Sequence, residues 1–145
     1  MASGNVLNSG TGFLNPVEET TLTIPSTATK VITVGAYDAR FDQAAAFSGR
    51  GYTRATNQVK PDLVAPGVEI MSCAPGGGYQ VRTGTSMATP FVTGSAALLM
   101  QWGIVNGNDA YLYGEKMKAY LIRGARKLPG FTVYPNPGLG WGALC

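Results

Sequence analysis

Gly84-Thr85-Ser86-Met87-Ala88-Thr89-Pro90 sets a serine hydroxyl at the head of an apolar, helix-forming run. A hydroxyl in that place has two uses. It can cap the helix, a structural role of about 1 kcal/mol. It can also attack a carbonyl, because the positive end of a helix dipole and the free N–H groups of its first turn favour the negative charge that acyl transfer develops. The second use requires a base, since a serine hydroxyl is almost wholly protonated at neutral pH. The 145-residue chain contains no histidine. Its aspartates, Asp38, Asp42, Asp62 and Asp109, sit in no motif that would make one of them a base. Asp38 ends a strand-like run and Asp62 follows Lys60-Pro61; both read as turn or capping groups.

The elements that would hold this serine are legible in outline. A hydrophobic content of 45% against 13% charged residues indicates a packed globule. "KVITVGAYD" (30–38) is β-branched and almost continuously apolar, the pattern of a buried parallel strand. "PDLVAPG" (61–67) reads as a second short strand. "VEIMSCAP" (68–75) and "GYQVRTG" (78–84) flank a Pro-Gly-Gly-Gly turn and predict a hairpin. From Ser86 to Trp102 apolar residues fall on every side of a helical pattern, which predicts a buried helix. Pro90 is expected to be tolerated in its opening turn. Tyr113, Met117, Tyr120, Leu121 and Gly124 mark one face of a second helix over 114–127. Strands alternating with helices place the chain in the α/β class with a parallel sheet.

Charge and cysteine content narrow the remaining functions. The net charge is +3, and five of the eleven cations (Lys116, Lys118, Arg123, Arg126, Lys127) fall near the C-terminus. They read as a solvated helix face, without the aromatic interleaving of a nucleic-acid surface. Cys73 and Cys145 lie far apart, with neither metal-ligand nor disulfide-framework spacing. No signal peptide and no 18-residue apolar run is read from the sequence, so neither a membrane nor a metal is implied.

"GTSMATPFVTGSAALL" (84–99) resembles the serine box of the subtilisin-like proteases, in which Gly-Thr-Ser-Met-Ala-x-Pro opens a central helix. "KPDLVAPGVEI" (60–70), "TKVITVGAYD" (29–38) and "AFSGRG" (46–51) are similar to the segments that precede the box. "ASGN" (2–5) resembles the stretch carrying the family's oxyanion asparagine, and all five segments come in the family's order. Where relatives have a histidine outside the triad after the proline of the box, this chain has Phe91.

The resemblance implies a three-layer α/β fold with a buried central helix starting at the serine, and a small hairpin. It implies serine endopeptidase chemistry with Ser86 as nucleophile. Asn5, with the Ser86 amide, would bind the oxyanion. Ala2, Ser3 and Gly4 would line the substrate cleft and pair with the substrate backbone, with Thr85 as a further substrate contact. In subtilisin itself, losing the asparagine donor costs about 2.7–4 kcal/mol of barrier. No cofactor is implied; calcium is a family possibility for which the sequence shows no site.

The family's triad runs Asp, His, Ser along the chain. Residues 1–145 are therefore expected to be part of a catalytic domain, without the Asp and His boxes and inactive alone. The expected partners are a polypeptide substrate and either the N-terminal half of the domain or a second copy. Residues 111–144 resemble the continuation found in clostridial Csp-like subtilases, some of which have lost triad residues and act as regulators. The alternative is accordingly a pseudoprotease or regulatory module on the same scaffold. Family likeness points to an extracellular or spore-associated location.

Overall fold

A computed structural model describes residue 12 and residues 14–145 of the chain. In chain order its elements are β1 (Val34–Asp38), β2 (Gln43–Ala44), β3 (Leu63–Pro66), β4 (Ile70–Cys73), β5 (Tyr79–Arg82), α1 (Thr85–Met100) and α2 (Gly114–Arg123). β1 and β3 pair in parallel, Val34 opposite Leu63 and Tyr37 opposite Pro66. β2 adds an antiparallel edge to β1, a strand that the sequence did not predict. On the far side of β3, Val64 donates to the Gly142 carbonyl and accepts from the Leu144 N–H. Ala143 thus makes a one-residue parallel bridge to Val64. β4 and β5 form the expected hairpin, Met71 opposite Val81.

Strand alternation sorts the core. Ala36, Leu63 and Ala65 point to one face of the sheet, where they pack with Ala88 and Val92 of α1 and Met117 and Leu121 of α2. Tyr37 and Val64 point to the other, where Leu128, Leu139 and Ala143 cover them. The helices therefore form one layer and the irregular C-terminal segment another.

Two expectations about α1 are corrected. Its apolar residues surround it, yet within the helix only Ala88 and Val92 are buried. The described chain supplies cover on the sheet side alone, so Phe91, Leu98 and Met100 stay exposed. With the π turn at Gln101–Val105 that continues it, the helical run reaches 21 residues at a mean hydropathy of 1.2. That length and composition would cross a bilayer, but its seat on the sheet marks it as a core helix lacking cover. Pro90 is the sixth residue of α1, past the four N–H groups that need no helical acceptor. Its ring removes the bond that the Ser86 carbonyl would otherwise accept.

The C-terminal cations are ties more than a solvated face. Lys116 pairs with Asp109 at 2.6 Å, Lys118 with Asp62 at 2.7 Å and Arg126 with Asp42 at 2.9 Å. Lys127 lies 5.7 Å from the centre of the Tyr134 ring.

Candidate active site

Ser86 is positioned by a relay of backbone contacts from the sheet. The Gly67 N–H, just past β3, donates to the Tyr37 carbonyl near the end of β1 at 3.0 Å. The Gly67 carbonyl in turn accepts from the Gly84 N–H at 2.8 Å. A side chain at Gly67 would bring a Cβ within 2.6 Å of the Ala36 Cβ and 2.9 Å of the Gly84 carbonyl oxygen. Only glycine lets the two loops approach so closely. Gly84 has φ 157° and ψ 163°, a region essentially reserved for glycine, and from it the chain turns directly into α1.

Ser86 therefore lies in the first turn of a sixteen-residue helix, outside the carboxyl ends of parallel strands. That is where open α/β sheets place ligands. The helix N-cap is Gly84 and makes no side-chain cap bond. The capping role weighed for Ser86 is thus not the one it fills, since Ser86 is already inside the helix. Ser86 is exposed and lines an open depression with Thr89, Pro90 and Thr93. Thr85 is half-buried beside it, and its carbonyl accepts from the Thr89 hydroxyl at 3.0 Å. Helical geometry leaves the Ser86 N–H without an intrahelical acceptor, so it remains a donor for an anion. Asn5, Ala2, Ser3 and Gly4 lie outside the described residues.

All four aspartates are engaged by cations. Asp38 pairs with Arg40 at 2.7 Å, and hydrogen bonding from that guanidinium holds its carboxyl below the usual range. Arg40 also contacts Glu69. Asp38 does make a turn bond, accepting from the Arg40 N–H at 3.0 Å. Asp62 corrects the turn reading: it is buried between Lys60 and Lys118 and accepts the Thr33 N–H at 2.7 Å. Each of the four carboxylates is thus occupied by at least one cationic partner. Lys60 went unread as a partner because a Lys and an Asp two residues apart look like ordinary loop charges.

Among the described residues no group of three or more His, Cys, Asp or Glu side chains could hold a metal. Cys73 and Cys145 are exposed free thiols.

The profile of the Subtilase family (Peptidase_S8) matches residues 1–142. The chain is 46% identical over 77 residues to an intracellular serine protease of Paenibacillus polymyxa, covering 53% of this chain and 21% of that protein. It is 35% identical over 138 residues to the subtilisin-like protease SBT6.1 of Arabidopsis thaliana, covering 92% of this chain and 13% of that protein. Among solved structures, the Clostridium perfringens CspB protease superposes with a TM-score of 0.91 at 48% identity, over 97% of this chain and 30% of that one. That likeness supports the Csp-like subgroup. The chain thus spans under a third of the length of each of these relatives.

Proposed function

Since the chain belongs to the subtilase family, we propose that it is the serine-bearing part of an endopeptidase catalytic domain, with Ser86 as the nucleophile. The observation that carries this is the exposed Ser86 in the opening turn of α1, held beyond the strand ends by Gly67 and Gly84. The Ser86 oxygen attacks the scissile carbonyl of a polypeptide while a base from the rest of the domain takes its proton. Charge then moves onto the carbonyl oxygen, where the Ser86 N–H and the Asn5 side chain donate to it. Donors fixed toward that oxygen act on the transition state more than on the ground state. On collapse the base returns that proton to the leaving nitrogen, the amine departs, and water, deprotonated by the same base, removes the acyl group left on Ser86. Ala2, Ser3, Gly4 and Thr85 hold the substrate backbone alongside. The chemistry uses side chains and backbone donors and needs no cofactor.

Residues 1–145 contain no histidine, so the base and its orienting aspartate come from sequence beyond them. Loss of the base costs about 10⁶-fold in turnover in subtilisin itself. The partner in activity is therefore the remainder of the domain, and the resemblance of residues 111–144 to Csp-like subtilases favours an extracellular or spore-associated setting.

Labelling with a fluorophosphonate tests the reading. The isolated chain should react at the background rate of a free serine. The parent protein should react rapidly at Ser86, and Ser86→Ala should abolish both labelling and peptide hydrolysis. Rapid labelling of the isolated chain would overturn the need for an external base. A parent sequence lacking either the Asp or the His box would establish the regulatory alternative instead.

A further inference from the structure

At the opposite end of the sheet from Ser86, two lysines converge on a cage of oxygens. The Lys118 ammonium, projecting from α2, donates to the Thr29 carbonyl at 3.0 Å and the Val31 carbonyl at 3.2 Å, and pairs with Asp62 Oδ1 at 2.7 Å. Those three acceptors use all three of its N–H donors. The Lys60 ammonium donates to the same Val31 carbonyl at 2.9 Å and to Asp62 Oδ2 at 2.7 Å. Lys60 is 1% exposed and Asp62 3%.

Carbonyls and a carboxylate gathered in this way are the ligand set of a hard cation such as calcium. Here the two lysine nitrogens occupy the space among those oxygens, at hydrogen-bond distances of 2.7–3.2 Å. Two ammoniums against one carboxylate also leave the cluster with a net positive charge, which repels a further cation. Burial pushes the Lys60 ammonium below its ordinary pKa and Lys118 adds to that, while Asp62 opposes it. Calcium, a possibility of the family, does not fit this cage as it stands.

We propose that Lys60 and Lys118 do the work of a bound metal ion. They neutralise Asp62 and join the loop at Thr29–Val31, the start of β3 and helix α2 without any metal, and the oxygens become a divalent-cation site once both ammoniums are removed. Lys118 and Thr29 are 89 residues apart in the chain, so the cluster fixes tertiary contacts and not merely a local turn.

Amide hydrogen exchange on the 145-residue chain, in calcium chloride and in chelator, tests this. In the wild type, amides of residues 29–33 and 60–63 should be protected equally in both. In Lys60→Met/Lys118→Met the same amides should lose protection in chelator and regain about tenfold slower exchange with calcium well above its dissociation constant. Adding Asp62→Asn to that pair should remove the calcium response. The proposal is overturned if calcium increases protection of these amides in the wild type, or if they are unprotected there. It is equally overturned if calcium does not restore the double variant, including by failure of that variant to fold in either condition.

Discussion

Gly84 decides where the serine points. Its φ of 157° and ψ of 163° belong to a region that a Cβ makes costly, by about 1–3 kcal/mol. Gly84→Ala should therefore lower the denaturation midpoint and, in the assembled protein, slow Ser86 labelling more than it slows substrate binding. Equal labelling rates in variant and wild type would show that the glycine serves only the fold. The sequence displayed this residue as part of a motif but not its conformation, which depends on the Gly67 carbonyl 17 positions earlier. Asp62 was misread for a related reason. Its partners include Lys118, 56 residues away on α2, and no local pattern pairs two such charges. The placement of Ser86 in the opening turn of α1 was legible, because the box around it is contiguous.

At the scale of elements, β1, β3 and the hairpin were legible because each carries its own signal: β-branched runs for the sheet, Pro-Gly-Gly-Gly for the turn. The strand at Gln43–Ala44 was not, since two residues contribute no periodicity. Helix α2 was visible through Met117 and Leu121, but its anchor was not. Asp109, in the loop ahead of α2, pairs with Lys116 of its first turns at 2.6 Å. Its own N–H donates to the Gly103 carbonyl at 2.9 Å, and hydrogen bonding from Lys116 holds its carboxyl below the usual value. A lowered carboxylate pKa contributes stability that is complete above the unfolded value of about 3.9 and fades as pH falls through the lower folded value. Urea melts of wild type and Asp109→Asn should thus differ by a constant amount near neutral pH, and the gap should close in acid below that range. A gap that persists unchanged in acid would mean that Asp109 acts by shape and not by charge.

The molecule as a whole is asymmetric in its cover. One flank of α1 rests on the sheet, while Phe91, Leu98 and Met100, and beyond them Trp102, Ile104 and Val105 of the π turn, are exposed, Leu98 to 68%. Fully burying one such side chain is worth about 1.5–3 kcal/mol, and a contiguous apolar surface of this kind is uncommon on a stable monomer. The all-round apolar pattern predicts a helix buried on every side, whereas the described residues cover only the face that carries Ala88 and Val92. The chain by itself should therefore self-associate. In sedimentation velocity it should run as a concentration-dependent mixture, and Leu98→Lys with Val105→Lys should shift that mixture toward monomer without altering α2 or the sheet. Mixing with the separately produced remainder of the parent domain should instead give a single one-to-one species for the wild type, and the two lysines should weaken it. A monodisperse wild-type monomer with a cooperative melt would mean that the exposed flank is stable in water as it stands, and that the serine-bearing part is a self-sufficient unit.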